Sequence, residues 1–250
     1  MKRYRGGIDA PPFFQKDAPP SLPDWVRTRT FRTFPREGGS RLVRFALVED
    51  ELALAWMVQM HCIDLNVWYS RVDKPERPDF VLFDLDPPDG GFAIAVKVAH
   101  ALRELLDAVE LPGYVKTSGA DGIHVLAPIV RRSSYEQARA FAELAAERLV
   151  RELPGLATTE WLKRKREGVY VDARQNGWGK TIATVYSVRP RDGAPVSTPL
   201  PWEELTEELD PRSLGMPEAL ERVERDGDLF EPVLRGGRGL GPALRRLQRL

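Results

Sequence analysis

The chain has 250 residues, with 37 basic side chains against 37 acidic ones and 42% hydrophobic residues, enough to bury one large core or two small lobes. No apolar run approaches the roughly 20 residues needed to cross a bilayer, and the N-terminal MKRYRGGIDAPPFFQK lacks the apolar segment of a secretory signal, so no membrane partner is expected. The lone Cys62 excludes an internal disulfide or a cysteine zinc site, and three histidines (His61, His100, His124) argue against a histidine-rich metal centre; a reducing cytoplasm fits.

Residues 1–40 are rich in Pro, Gly and Arg and read as an arm with loops, carrying Phe13-Phe14-Gln15-Lys16. Residues 41–200 read as the core, and 201–250 as a helical segment packed on it. In chain order, Arg41–Val48 reads as a strand and Asp50–Cys62 as a helix with Asp50 as N-cap. Pro78–Asp84 is a strand that runs into Asp86 and is stopped by Pro87 and Pro88. Phe92–Val109 has apolar residues at helical spacing. Gly113–Ser118 and Ile123–Pro128 flank the turn Gly119-Ala120-Asp121-Gly122 and read as a hairpin. Ser134–Leu153 reads as a helix capped by Ser133 or Ser134. Strands follow at Gly168–Asp172 and Ile182–Val188, then helices around Trp202–Leu209, Pro217–Arg225 and Pro242–Leu250. No internal repeat is visible. Hairpins mixed with helices predict an α+β fold of mixed, largely antiparallel sheets flanked by helices.

The stretch FVLFDLDPPD places two carboxylates two residues apart on an apolar strand, so Asp84 and Asp86 project to one face. Two like charges that close favour a divalent cation with oxygen ligands between them. The plainer alternative is a strand entering a solvated acidic loop. Asp172, at the end of GVYVD, is the candidate third carboxylate; three acids with open positions suit Mg²⁺ or Mn²⁺ better than zinc. In KTSGADGIH, Lys116 and Ser118 share a face and His124 opens the next strand, beside glycines that let backbone amides approach a phosphate. A lone strand histidine is more often a structural hydrogen bonder; its neighbours favour phosphate contact.

The neutral total hides an asymmetry. Thr159–Arg191 holds eight basic and three acidic side chains, whereas Pro201–Glu231 holds three basic and eleven acidic. Lys163, Arg164, Lys165 and Arg166, then Arg174, Lys180, Arg189 and Arg191, alternate with Tyr170, Trp178 and Tyr186, as a groove tracking a nucleic-acid strand requires. Core packing is the alternative for each ring. The adjacent Phe13 and Phe14 cannot both point inward from an extended segment.

Taken together, FFQK, FDLDPP, VKTSGADGIHVLAP, KRKREGVYVDARQN, GKTIATVYSVRP and APVSTPLPWEEL, in that order over nearly the whole chain, resemble the polymerase domain of bacterial ligase D, of the archaeo-eukaryotic primase superfamily. The resemblance implies a two-metal site of Mn²⁺ or Mg²⁺ at Asp84, Asp86 and Asp172. It implies nucleotide contacts from Ser118, His124, Arg189 and Arg191, and stacking on DNA by Phe13 and Phe14; beside these, the residue pattern itself nominates Lys116 and Lys180 for the nucleotide, and Lys16 and the 163–166 basic run for DNA. The implied activity is templated addition of nucleotides, ribonucleotides by preference, to DNA ends or gaps in non-homologous end joining, with priming as a further expectation. The implied partners are gapped or template-primer DNA, NTP or dNTP, a Ku-like end-binding protein and a separate DNA ligase, in a nucleoid-associated cytoplasmic setting.

Two departures from the family pattern stand out. Family domains begin with a further N-terminal segment whose basic residues recognise a downstream 5′-phosphate; it is missing before Met1, so end recognition is expected to be weaker or supplied by a partner. Where the family has a histidine that contacts the ribose 2′-hydroxyl, this chain has Asn66, in IDLNVW. Asparagine still hydrogen-bonds a hydroxyl, and sugar preference stays open there. Two readings compete with a polymerase: a non-catalytic module that bridges DNA ends, which gains nothing from clustered carboxylates, and a metal-dependent phosphohydrolase, which leaves the basic set around Arg189 without a purpose.

Overall fold

A computed structural model describes residues 1–33 and 39–250. The chain forms two compact units, Met1–Asn66 and Val67–Leu250. The break therefore falls after residue 66, beyond the expected boundary at 40, and residues 201–250 belong to the larger unit.

In the smaller unit, β1 (Lys2–Arg3) pairs antiparallel with β2 (Phe13–Phe14), and β3 (Thr28–Thr33) with β4 (Arg41–Ala46). The expected arm thus contains strands; the stretch 34–38 of that reading lies outside the described residues. TRTFRT escapes a period-two reading because Phe31 is its only apolar residue and four of its six side chains are exposed. Helix α1 (Glu51–Gln59) starts as expected, the Asp50 carboxylate accepting from the Ala53 amide at 2.7 Å. Asp64 is buried and accepts from Lys2 Nζ at 2.5 Å. A two-residue strand, β5, lies at Asn66–Val67.

The larger unit is built on a six-stranded sheet. Its members are β6 (Phe80–Asp86), β7 (Tyr114–Thr117), β8 (Ile123–Pro128), β9 (Ala157–Thr158), β10 (Val169–Asp172) and β12 (Pro199–Leu200), in the order β12-β7-β8-β6-β10-β9. Every pairing is antiparallel except β10 with β9. Alternation sorts the strand residues between two faces. Val81, Phe83 and Leu85 join the main core with residues of α2 (Phe92–Ala108) and α3 (Tyr135–Glu152). On the other face, Phe80 and Leu82 pack with Tyr69, Leu126, Tyr135, Ile182, Phe230 and Val233, while Asp84 and Asp86 continue the same alternation to the strand end. Ser134 caps α3 in a capping box with Gln137.

Beside two- or three-residue trims at the ends of β4 and α1, two expected elements are much shorter. The strand expected over Ile182–Val188 is only β11 (Ile182–Ala183), because the chain turns back at once: Ser187 donates to the Thr184 carbonyl and Tyr186 sits at a φ of 61°. The helix expected over Trp202–Leu209 is one 3₁₀ turn at Trp202–Glu204. Glu203, Glu204, Glu207 and Glu208 would repel at helical spacing, and the Trp202 indole donates instead to the Gly113 carbonyl at 2.9 Å. Helices α4 (Met216–Asp226), α5 (Glu231–Leu234) and α6 (Leu240–Leu247) complete the unit.

Candidate active site

The register of the sheet draws four expected residues into one row. Asp172 on β10 lies directly opposite Asp84 on β6, Asp84 opposite His124 on β8, and His124 opposite Lys116 on β7. Residues opposed in antiparallel strands share a face, with Cβ atoms about 4.5–5.5 Å apart. Asp86 lies two residues on from Asp84, opposite Tyr170.

The middle of the row is buried and hydrogen-bonded. Lys116, 1% exposed, points Nζ at His124 Nδ1 (2.7 Å), Ser197 Oγ (2.5 Å) and the Ala183 carbonyl (3.1 Å). Ser197 in turn donates to the Thr117 carbonyl at 2.8 Å. His124, 3% exposed, places Nε2 at 3.3 Å from Asp84 Oδ1. Assigned from this network, with the ammonium donating to Nδ1, the ring proton sits on Nε2 and faces the carboxylate. Burial, with Arg189 adding repulsion, brings Lys116 down to about 7 against the pull of Asp84. Burial, then the charges of Lys116 and Arg189, hold His124 well below its ordinary range, so it is neutral at pH 7.

The carboxylates are raised. Burial pushes Asp84 up to about 6, with Lys116, Arg189 and Arg166 pulling the other way. Crowding by protein atoms, then repulsion from Asp84, raises Asp86; its side chain still reaches solvent at the strand end, which screens the shift. Asp172 is raised by partial burial and then by Asp84. Its Oδ1 accepts from the Tyr170 hydroxyl at 3.2 Å and the Arg174 amide at 3.0 Å.

The donor chemistry fits a hard divalent cation. Three carboxylates share a face, two of them on opposed residues, and Asp84 raises the proton affinity of both others, a strain that a cation relieves. Among the described residues, no three His, Cys, Asp or Glu side chains are already gathered about one point. Asp84 faces His124 and Asp172 faces Tyr170 and Arg174, so holding a cation requires these carboxylates to re-aim.

The hairpin differs in detail from expectation. The amides of Ala120 and Gly122, which were to meet an anion, both donate to Ser118 Oγ at 3.1 Å. The glycines answer to close packing. A Cβ on Gly122 would lie 2.8 Å from the Leu85 carbonyl, and one on Gly119, at a φ of 70°, would lie 2.4 Å from Arg189 Cγ. The same point on Gly122 is 3.6 Å from Ser118 Oγ and 3.7 Å from Asp86 Oδ1, so hydroxyl and carboxylate border one small space.

Of the expected basic residues, four act electrostatically on the row: Arg166 and Lys163 on Asp86, Arg166 and Arg189 on Asp84, and Lys180 on Asp172. Arg166 lies over the Tyr170 ring, 3.8 Å from its centroid, and donates to the Glu160 carbonyl. Arg164, Lys165 and Arg191 are exposed, the first two on the 3₁₀ turn Lys163–Lys165. Trp178 packs edge-on against Trp68 with centroids 5.2 Å apart, whereas Tyr170 is buried. In the smaller unit, Phe13 and Phe14 are both exposed (52% and 66%), as is Lys16. Asn66 is exposed there and donates its amide to the Asp64 carboxylate at 3.0 Å and carbonyl at 3.1 Å.

One positioning residue escaped the sequence reading. Asn176, 1% exposed, accepts from the Leu82 amide at 2.9 Å and donates to the carbonyls of Leu82 (2.7 Å) and Ala173 (3.1 Å). It extends the β10–β6 ladder with a side chain where the backbone of β10 has already turned away, and so holds Asp172 against Asp84. Only its place in DARQN, four residues after Asp172, marked it.

Residues 1–230 match the family described as LigD, primase-polymerase domain. The chain belongs to that family. As a LigD primase-polymerase domain, it is 34% identical over 242 residues to the multifunctional non-homologous end joining DNA repair protein LigD of Mycobacterium tuberculosis, covering 92% of this chain and 31% of that protein. It is 32% identical over 231 residues to the bifunctional non-homologous end joining protein LigD of Bacillus subtilis, covering 91% and 36%. The chain thus spans about a third of the length of the curated relatives it matches. Among solved structures, the polymerase domain of Mycobacterium tuberculosis ligase D in complex with DNA superposes with a TM-score of 0.83 at 32% identity, covering 93% of this chain and 82% of that one. This likeness agrees with the expected mixed α+β fold of antiparallel strands and helices.

Proposed function

We propose that this LigD-type domain is a nucleotidyltransferase that extends DNA ends or gaps in template-directed fashion during non-homologous end joining, with Mn²⁺ or Mg²⁺ held by Asp84, Asp86 and Asp172. The observation that carries the reading is the cross-strand row Asp172–Asp84–His124–Lys116, with Asp86 at its open end. Bound there, the cations would lower the barrier to attack by the primer 3′-hydroxyl and neutralise the leaving pyrophosphate. The chain's own residues do the positioning on which phosphoryl transfer chiefly depends. Neutral His124, its tautomer set by Lys116, orients Asp84 and presents no second charge to it. Lys163, Arg166, Lys180 and Arg189 offset negative charge around the carboxylates, where a triphosphate would otherwise be repelled. Ser118, its two amide donors fixed, keeps its own proton to donate toward a phosphate or sugar oxygen. Phe13, Phe14 and Lys16 offer exposed rings and a cation for template or base stacking. Asn66 Oδ1 is left to accept from a ribose hydroxyl while its amide is held by Asp64, which favours ribonucleotides. The partners proposed with this activity, by family resemblance, are a Ku-like end-binding protein and a separate ligase acting on the product.

One observation favours the competing end-bridging module: the carboxylates are engaged by His124, Tyr170 and Arg174 within the protein. Primer extension on gapped DNA, with Mn²⁺ or Mg²⁺ and either NTPs or dNTPs, separates the two. Templated addition that is lost in Asp84→Ala/Asp86→Ala supports the polymerase. DNA binding without addition under either metal leaves the bridging module, and the NTP:dNTP ratio reads the effect of Asn66.

A further inference from the structure

The end of the sheet away from the carboxylates carries a second charged feature. A cleft there is lined by Lys74, Arg77, Arg131 and Arg132 with Pro75 and Glu76. Arg131 is already matched: it forks onto Asp73 at 2.9 and 2.6 Å and reaches Asp79 at 3.1 Å, and Asp79 also pairs with Arg71. Lys74, Arg77 and Arg132 have no carboxylate partner among the described residues. Arg238, exposed, is set beside them by the backbone, since its carbonyl accepts from the Val130 amide at 3.0 Å and it bridges Ile129. Within the cleft, Lys74, Arg77 and Arg132 share the lining with one carboxylate outside the Arg131 pairs, that of Glu76.

The cleft is pre-formed. Ser70 Oγ donates to the Pro75 carbonyl at 2.6 Å and accepts from the Tyr135 hydroxyl at 2.8 Å, while the Lys74 and Arg77 amides close successive turns. The Arg77 guanidinium donates to the Arg132 carbonyl at 2.9 Å, tying the two walls together. On the Arg238 side, Gly237 lies so close to β8 that a Cβ would fall 1.9 Å from the Pro128 carbonyl.

We propose that this cleft binds the phosphodiester backbone of the DNA duplex that flanks the reacting end. The proposal rests on the polymerase reading for the orientation of the duplex, but its binding arm stands by itself. Charge complementarity selects a polyanion, and position selects a duplex over a free nucleotide. Asp79, at the cleft wall, precedes Asp84 by five residues of extended chain, roughly 17 Å at about 3.3 Å per residue. For a duplex laid along β6, an advance of about 3.4 Å per base pair brings the cleft to phosphates roughly five pairs behind the reacting end.

The test is fluorescence anisotropy across a salt series, using blunt duplexes of about 20 base pairs and short-stemmed ends of about four, with a duplex-length comparison built in. The variants are Lys74→Glu/Arg132→Glu and, in the opposite direction, Glu76→Lys; all three side chains are exposed and outside the catalytic row. The charge reversal is expected to weaken long-duplex binding about ten-fold or more near 0.1 M salt and to reduce the salt slope by about two. It should leave short-end binding and extension at saturating DNA unchanged, and Glu76→Lys should tighten long-duplex binding. Equal losses on long and short DNA, an unchanged slope, or wild-type affinity independent of duplex length would each overturn the proposal. A wild-type protein that shows the length-dependent binding but extends no primer would retain this surface and remove the polymerase reading instead.

Discussion

Replacing Asn176 by alanine removes one side chain that serves two backbone groups of a fully buried residue. Leu82 is 0% exposed, and both its amide and its carbonyl are bonded to the Asn176 carboxamide, which also reaches the Ala173 carbonyl. No water has ready access to that point of the sheet, so the groups are left unsatisfied. A buried orphaned donor or acceptor costs about 1–3 kcal/mol; the Leu82 pair together sets an expected loss of about 3–5 kcal/mol, allowing for partial relaxation at Ala173. For a chain of this size about 1 kcal/mol moves the midpoint by roughly 2–4 °C, so a fall of about 10 °C is expected. Urea titration followed by circular dichroism measures the loss, and amide hydrogen exchange at Leu82 locates it. Asn176→Asp should be no better, because it keeps the acceptor for the Leu82 amide but turns oxygen toward two carbonyls. A loss below about 1 kcal/mol with unchanged protection at Leu82 would refute the reasoning, since the ladder would then be closing without the carboxamide.

The pH dependence of metal-free stability should have two limbs. Raised carboxylates such as Asp84, moved from 3.8 to about 6, bind protons more tightly when folded, so stability falls as pH rises across that window. Lys116, lowered from 10.5 to about 7, binds its proton less tightly when folded, so stability rises from about 7 toward 10.5. Thermal melts in chelator should therefore show a minimum near neutrality; Asp84→Asn should flatten the acid limb and Lys116→Met the alkaline one, and a profile that only falls would contradict the Lys116 assignment, one that only rises that of Asp84. Gly122→Ala forces a methyl to 2.8 Å from the Leu85 carbonyl and should cost about 1–3 kcal/mol through backbone displacement, with a larger rise in nucleotide KM than fall in kcat. Tyr170→Phe removes one hydrogen bond to Asp172 and keeps the Arg166 stack, so a loss of about 0.5–1.5 kcal/mol is expected by the same urea assay.

Legibility in the sequence followed the strength of local signals. FVLFDLD, KTSGADGIHVLAP and GVYVD are apolar runs bounded by proline or glycine, and their strands lie within about two residues of expectation. The Asp50 cap declared itself by residue type, whereas for α3 residue type narrowed the cap only to Ser133 or Ser134, of which the structure uses Ser134. Harder to read was anything set by partners distant in sequence. Nothing local in TRTFRT says that β4 will pair with it, and nothing in DARQN says that its asparagine will complete a ladder with Leu82, 94 positions away. The glycines of the hairpin were legible as glycines but not in purpose, because the Leu85 and Arg189 atoms that exclude a side chain come from other segments.

The row Asp172–Asp84–His124–Lys116 runs across the strands, with each member on a separate strand. A slip of one residue in any of these pairings would turn that strand's member to the helix-covered side. The chemistry proposed for this row would therefore work as a coincidence detector, responding only when the three strand registers that build it are correct together. During renaturation, catalytic competence should appear as the final event, after secondary structure has fully returned, and partly assembled forms should be silent instead of merely slow.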